Sequence, residues 1–141
     1  MIEGLNYITV IVLDLTRMTE VIQTMLDGRE VYASGERTFL VARDKFFLVD
    51  DIWIAIMEGE PLKEHSYNQV AFKIRPDALP EYRDRIERLG LPVRESHPRV
   101  DGEGYLIRSC DEDNHLFELD TGTLQERLRR YAQDMRDRVS G

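Results

Sequence analysis

Residues 111–124 read D-E-D-N-H-L-F-E-L-D-T-G-T-L. A turn cluster, Asp111 to Asn114, opens the stretch, and a short apolar strand, Leu116 to Leu119, follows it with one carboxylate, Glu118, in mid-run. A lone acid inside such a strand is costly to bury unless a partner meets it. Alternation leaves two readings: Glu118 faces solvent together with Leu116 and Asp120, or it ends inside a cup and meets a cation. Which of the two holds decides what the chain does.

At 141 residues the chain has the size of one domain and can bury roughly two thirds of its unfolded surface. Hydrophobic residues make up 42% and no apolar run approaches a membrane span, so a soluble globular protein without a membrane partner is expected. The start, Met-Ile-Glu-Gly-Leu-Asn, lacks the basic and apolar regions of a signal peptide, and the expected location is cytoplasmic. The single cysteine, Cys110, excludes an intrachain disulfide and a cysteine-rich zinc site, and reads as packing. A net charge of −8 argues against nucleic acid, whose phosphates call for surplus Lys and Arg. The C-terminal arginines are interleaved with Glu126, Asp134 and Asp137 as on a solvated helix face.

Outward from the opening stretch, the chain carries one pattern twice. Residues 5–13 read as a strand; Asp14 is placed to cap a helix with Leu15, Met18, Ile22, Met25 and Leu26 at helical spacing, and Gly28 closes it. Strands are expected at 30–33, 37–42, 46–49 and 52–57, and a linker bearing Pro61 follows. The pattern then restarts, with a strand at 67–74, a helix opened by Pro76 and ended by Gly90, and strands at 91–94, 105–110 and 116–119. Sliding Tyr7 onto Gln69 brings Ile56 onto Glu118, an internal repeat of β-α-β-β-β order. Alternation puts Tyr7, Thr9, Gln69, Ala71, Glu118 and Asp120 on one side and Ile8, Val10, Val70, Phe72, Phe117 and Leu119 against the helices. Thr123 and Glu126 form a capping box opening a last helix, about 123–138, with Leu124, Leu128, Tyr131 and Met135 in a row. The expected fold class is α+β: paired modules, about 1–60 and 66–121, forming a cup in one domain, plus that helix. The helix needs either its own domain or a partner subunit to pack on.

Several segments are familiar in order: G-L-N-Y-I-T near the start, D-K-F-F-L at 44–48, W-I-A-I-M-E-G at 53–59 and Y-N-Q-V-A-F at 67–72. P-R-V-D-G-E-G at 98–104, D-N-H-L-F-E-L at 113–119 and G-T-L-Q-E-R-L-R-R-Y at 122–131 complete the set. By these the chain resembles, over nearly its whole length, the FosX-type fosfomycin-resistance proteins of the vicinal-oxygen-chelate, or glyoxalase and bleomycin-resistance, superfamily. The resemblance implies paired βαβββ modules and a homodimer with sites built from both chains. It also implies a Mn²⁺-dependent epoxide hydrolase that opens fosfomycin with water.

The chemistry does not carry over residue by residue. The family holds its metal with two histidines and a glutamate; Glu118 matches the glutamate, while Tyr7 and Gln69 stand at the histidine positions. A phenol and a neutral amide are poor substitutes for imidazole, so no cofactor is expected; Mn²⁺, Ni²⁺ or Zn²⁺ is what a retained site takes. Related glyoxalases use a Gln ligand, which leaves the loss of both histidines as the deciding change. Asp44 stands where the family has its glutamate base, its carboxylate withdrawn by about 1.5 Å. Of the residues that cradle the phosphonate, Thr9 and Arg99 persist, an Arg-Ser pair is replaced by Tyr105-Leu106, and a tyrosine by Arg108, which supplies charge from a new position. The histidines His65, His97 and His115 do not replace the lost ligands; His115 lies at odd spacing from Glu118 on the strand. Three readings follow. They are a non-catalytic protein that binds or sequesters a small anionic or epoxide ligand, a weakened epoxide hydrolase, and a fold without a ligand, natural or engineered.

Overall fold

A computed structural model describes residues 1–37, 41–96 and 105–140. The chain divides into two compact units, Met1–His65 with Glu112–His115, and Ser66–Asp111 with the residues from Leu116 onward. Among the described residues no helix is long and apolar enough to cross a membrane.

The first unit begins with β1, Tyr7–Val12, a β-branched run in which Val10 and Val12 turn inward. Asp14 then caps α1, Leu15–Leu26: its Oδ1 accepts the backbone N–H of Thr16 at 2.9 Å and of Arg17 at 3.1 Å. Met18, Val21, Ile22, Met25 and Leu26 form the buried stripe of α1. Three strands follow, β2 (Arg29–Ala33), β3 (Asp44–Val49) and β4 (Ile52–Glu58). The sheet order is β1-β4-β3-β2, with β1 parallel to β4 and the other pairs antiparallel. The stripe of α1 packs on β3 and β4, where Phe47, Ile54 and Ile56 are buried. Glu112–His115 belongs to this unit: Asp113 accepts the N–H of Leu13 at 3.1 Å, and Glu112 holds Arg17 at 2.8 Å. That carboxylate raises the Arg17 guanidinium further above its ordinary value.

The second unit repeats the order. β5 (Gln69–Lys73) leads to a 3-10 turn at Pro76–Ala78 and α2 (Leu79–Arg88), then to β6 (Arg94–Ser96), β7 (Leu106–Cys110) and β8 (Leu116–Asp120). Its sheet runs β5-β8-β7-β6, with β5 parallel to β8. Ile86 of α2 is buried, α2 packs on β7, and Ile107, Phe117 and Leu119 are buried strand residues of the same unit. Thr123 Oγ1 accepts the N–H of Glu126 at 3.1 Å, the threonine half of the expected box, and opens α3, Leu124–Ser140.

The paired βαβββ modules agree with the expected fold class, and the differences are local. Arg37, Val41 and Ala42 are not strand, and 38–40 lie outside the described residues, so among the described residues of this unit three strands follow α1. Leu91–Val93 are not strand either: Pro92 has no N–H for the ladder, and pairing begins at Arg94. At the end of α1 the left-handed residue is Asp27, with φ 54°, and Gly28 serves a different need. A Cβ on Gly28 would overlap Cγ2 of Ile22. The helix opened by Pro76 starts as a 3-10 turn, and α2 carries Pro80 in its first turn, where a missing N–H costs nothing. The repeat slips by one residue before its last strand. Ala55 stands opposite Thr9 as Glu118 stands opposite Ala71, so Ala55 and not Ile56 is the equivalent of Glu118. Ile56 is fully buried on the helix side, as a one-residue slip requires.

Candidate functional site

Each sheet has one face against its helix and one face away from it, and the expected site residues lie on the second kind. On the first sheet that face carries Tyr7 and Thr9 of β1, Trp53 and Ala55 of β4, and Asp44 and Phe46 of β3. Four rings run across it. Tyr7 lies 4.4 Å from Trp53, Trp53 meets Phe46 edge-on at 5.2 Å, and Phe46 lies 4.7 Å from Tyr32. Tyr7, expected at a histidine position, is thus one end of an aromatic row. The Nε1 of Trp53 is buried without a hydrogen-bond partner among the described residues. Thr9 is exposed.

Asp44 is buried, 3% exposed, and its backbone is tied to Ser34: its N–H donates to Ser34 Oγ at 3.0 Å and its carbonyl accepts the Ser34 N–H at 3.0 Å. It borders a cavity of about 540 Å³ in the first unit, together with Asp14, Thr16, Ser34, Lys45 and Glu58. The cations beside it are engaged: Lys45 with Glu30 at 2.8 Å, and Arg43 with Glu58.

On the second sheet the row through Glu118 is the informative one. Glu118 is 4% exposed, which overturns the solvent-facing reading. Its partner is Arg108, directly opposite on β7, with Nε 3.3 Å from Oε2. On its other flank β8 pairs with β5, where Ala71 offers no polar side chain. Gln69 lies on the same face, exposed and two positions back along β5. Arg94 stands opposite Arg108 on β6, so the row reads Ala71, Glu118, Arg108, Arg94. Lys73 and Asp120, one step further along, are committed to structure: Lys73 Nζ donates to the carbonyl of Thr121 at 2.7 Å, and Asp120 holds Arg127 at 3.0 Å. Tyr105 precedes β7, 58% exposed, and its carbonyl accepts both the N–H and the Oγ1–H of Thr121 at 3.0 Å. Cys110 lies on the same strand face as Arg108. Burial pushes its thiol above the ordinary range, Asp111 adds to the rise, and Arg94 pulls the other way.

Gln69, Arg108 and Glu118 are therefore brought together on one sheet face, and Tyr7 and Thr9 on another. Of the positions that the resemblance assigns to a metal, Tyr7 belongs to one unit and Gln69 and Glu118 to the other. Arg99 and His97 lie outside the described residues. His65 is exposed, and His115 precedes β8 as part of the first unit. Among the described residues no three His, Cys, Asp or Glu side chains gather where they could hold a metal ion. The donors of the second unit do not fit one: the Glu118 carboxylate is taken by a guanidinium, and Gln69 offers only a neutral amide. What the residue reading missed is that Arg108 belongs to Glu118, and that Arg94 extends the row. The signal was available, because Arg108 and Glu118 are equidistant from the turn centred on Asp113, and a hairpin about that turn pairs them.

These modules define a protein of the vicinal-oxygen-chelate class. The architecture recurs in a glyoxalase/bleomycin resistance protein/dioxygenase domain from Frankia, TM-score 0.72 over 88% of this chain and 95% of that one at 16% identity, which shows the fold alone. No family model matches the chain. It is 53% identical over 135 residues to the fosfomycin resistance protein FosX of Mesorhizobium japonicum, covering 96% of this chain and 97% of the relative. A FosX mutant from Listeria monocytogenes, solved with Mn(II) and 1S,2S-dihydroxypropylphosphonic acid, superposes with TM-score 0.84 at 46% identity, over 93% of this chain and 99% of that one. The chain belongs to the FosX-type fosfomycin-resistance proteins.

Proposed function

We propose that this chain is a small-molecule binding or sequestering protein on the FosX fold, one that holds an anionic ligand without turning it over. The observation that carries the reading is the charged row of the second sheet: one buried carboxylate, one guanidinium on it, and a second guanidinium beyond, a net positive edge with no vacancy for a metal. Arg108 and Arg94 meet the acid group of the ligand in this reading, with Thr9, Tyr105 and Arg99 as further contacts. Two arginines directly opposite on neighbouring strands repel, and an oxyanion relieves that cost. The chain acts as one vicinal-oxygen-chelate domain in the cytoplasm, as a two-fold homodimer whose sites draw on both copies. Exposed apolar side chains on β1, β4 and α3 support the dimer.

The test is calorimetric titration with fosfomycin, its diol product and simple carboxylates in metal-free buffer, beside a turnover assay with Mn²⁺. Binding without turnover is expected. The second reading is a weakened Mn²⁺-dependent fosfomycin hydrolase, and the 53% identity to a FosX protein favours it. Metal-dependent turnover above roughly a per cent of a competent relative's rate, a loss of under about 3 kcal/mol in barrier, establishes that reading instead. Neither binding nor turnover leaves a fold without a ligand.

A further inference from the structure

We propose that Arg108 is the resident cation of the Glu118 position: it neutralises the buried carboxylate across the β7–β8 ladder and closes that acid to divalent metal. The inference stands whether or not a small molecule binds nearby.

A carboxylate 4% exposed has lost nearly all its hydration, and a counter-charge must replace it. In metal-binding relatives an ion can do this; here the described residues offer Arg108. The pairing is set by backbone register, since the two residues face each other directly in an antiparallel ladder. Arginine does not lose its proton in any ordinary buffer, so this counter-charge is permanent, whereas a metal is present only when supplied. Ala71, directly opposite on the other flank, offers no side chain to hold an ion on Glu118, and Gln69, two positions back on the same face, offers a neutral amide. Arg94 beyond Arg108 adds a second positive charge to the row, so a divalent cation entering at Glu118 has to displace one guanidinium and approach another. Tyr7 and Gln69 withdraw imidazole ligands; Arg108 blocks the ligand that remains.

This separates two obstacles that restoring histidines alone would confound. The first arm is a double-mutant cycle by thermal melting of the full chain in metal-free buffer, with Arg108→Met, Glu118→Gln and both together. Arg108→Met strands a buried carboxylate and is expected to lower the melting temperature by roughly 10 °C, with the double variant recovering at least about half of that. Additive losses, or an Arg108→Met protein that melts with the parent, overturn the pairing. The second arm adds Mn²⁺ or Zn²⁺ to the variant Tyr7→His plus Gln69→His, with Arg108 kept or changed to Tyr. Binding at least about tenfold tighter in the variant that lacks Arg108 is expected. Equal affinity, or no binding in either, overturns the claim that Arg108 bars the ion. Failure of the parent to bind any small anion leaves both readouts where they are, so it bears on the proposed function alone.

Discussion

Glu118 is a buried acid whose surroundings are set by the strand beside it. An acid at this position costs stability unless a positive charge lies beside it, and the chain supplies that charge from the strand next door. Alternation in the strand tells which face Glu118 occupies; what it faces there depends on the register of two strands, which only the turn centred on Asp113 reveals. Cys110, two residues along β7 from Arg108, carries a prediction of its own. The thiolate is the reactive species, and burial together with Asp111 holds the thiol protonated beyond the usual range. At neutral pH the thiolate fraction is therefore below that of a free thiol. Colour release from a disulfide reagent should run slower than with glutathione and accelerate as pH rises, because only the thiolate attacks. A Cys110 that matches or outruns glutathione at neutral pH contradicts this.

At the level of elements, starts and stops were the most readable features, because each rests on a local physical need. Asp14 before an apolar helical stripe and Thr123 three residues before Glu126 both cap helices as their spacing implies. Errors arose where a tertiary contact sets the residue type. Gly28 does close the helix, its N–H donating to the Ile22 carbonyl at 3.1 Å, yet the left-handed turn belongs to Asp27, and Gly28 is small because Ile22 lies against it. Ile22 is fully buried, and its β-branched side chain in a helix has one favoured rotamer, so its methyl cannot step aside. Gly28→Ala should therefore destabilise the protein by about 1–3 kcal/mol by overpacking, measured as a lower midpoint in urea with unchanged slope. An unchanged or raised midpoint shows that Ile22 accommodates the methyl. The one-residue slip that makes Ala55 and not Ile56 the counterpart of Glu118 has a different origin: the second module carries one more residue between its first and last strands, which no strand pattern shows.

For the whole molecule the open question is what covers α3. Leu124, Leu128, Met135 and Val139 are 58–83% exposed, and with Tyr131 they recur every three or four residues, so they share one face. No residue of α3 is buried within the chain, although its hydrogen bonds and its Thr123 cap are in order. A capped, amphipathic helix whose apolar side is mostly exposed, with Tyr131 half-buried, is a face that a second copy of the chain could cover. Burying such side chains contributes about 1.5–3 kcal/mol each, and a two-fold axis counts every one of them twice. Light scattering at tens of micromolar protein should therefore give the mass of a dimer. If α3 lies in that interface, Leu128→Glu introduces two buried charges at once and should weaken association by at least about 2 kcal/mol, roughly thirtyfold in Kd, while the melting of the isolated subunit stays within a few degrees of the parent. A monomer in the parent protein removes the dimer. A dimer indifferent to Leu128→Glu keeps the assembly but moves its interface to the open sheet faces, where Tyr7, Trp53 and Phe46 already form an aromatic row.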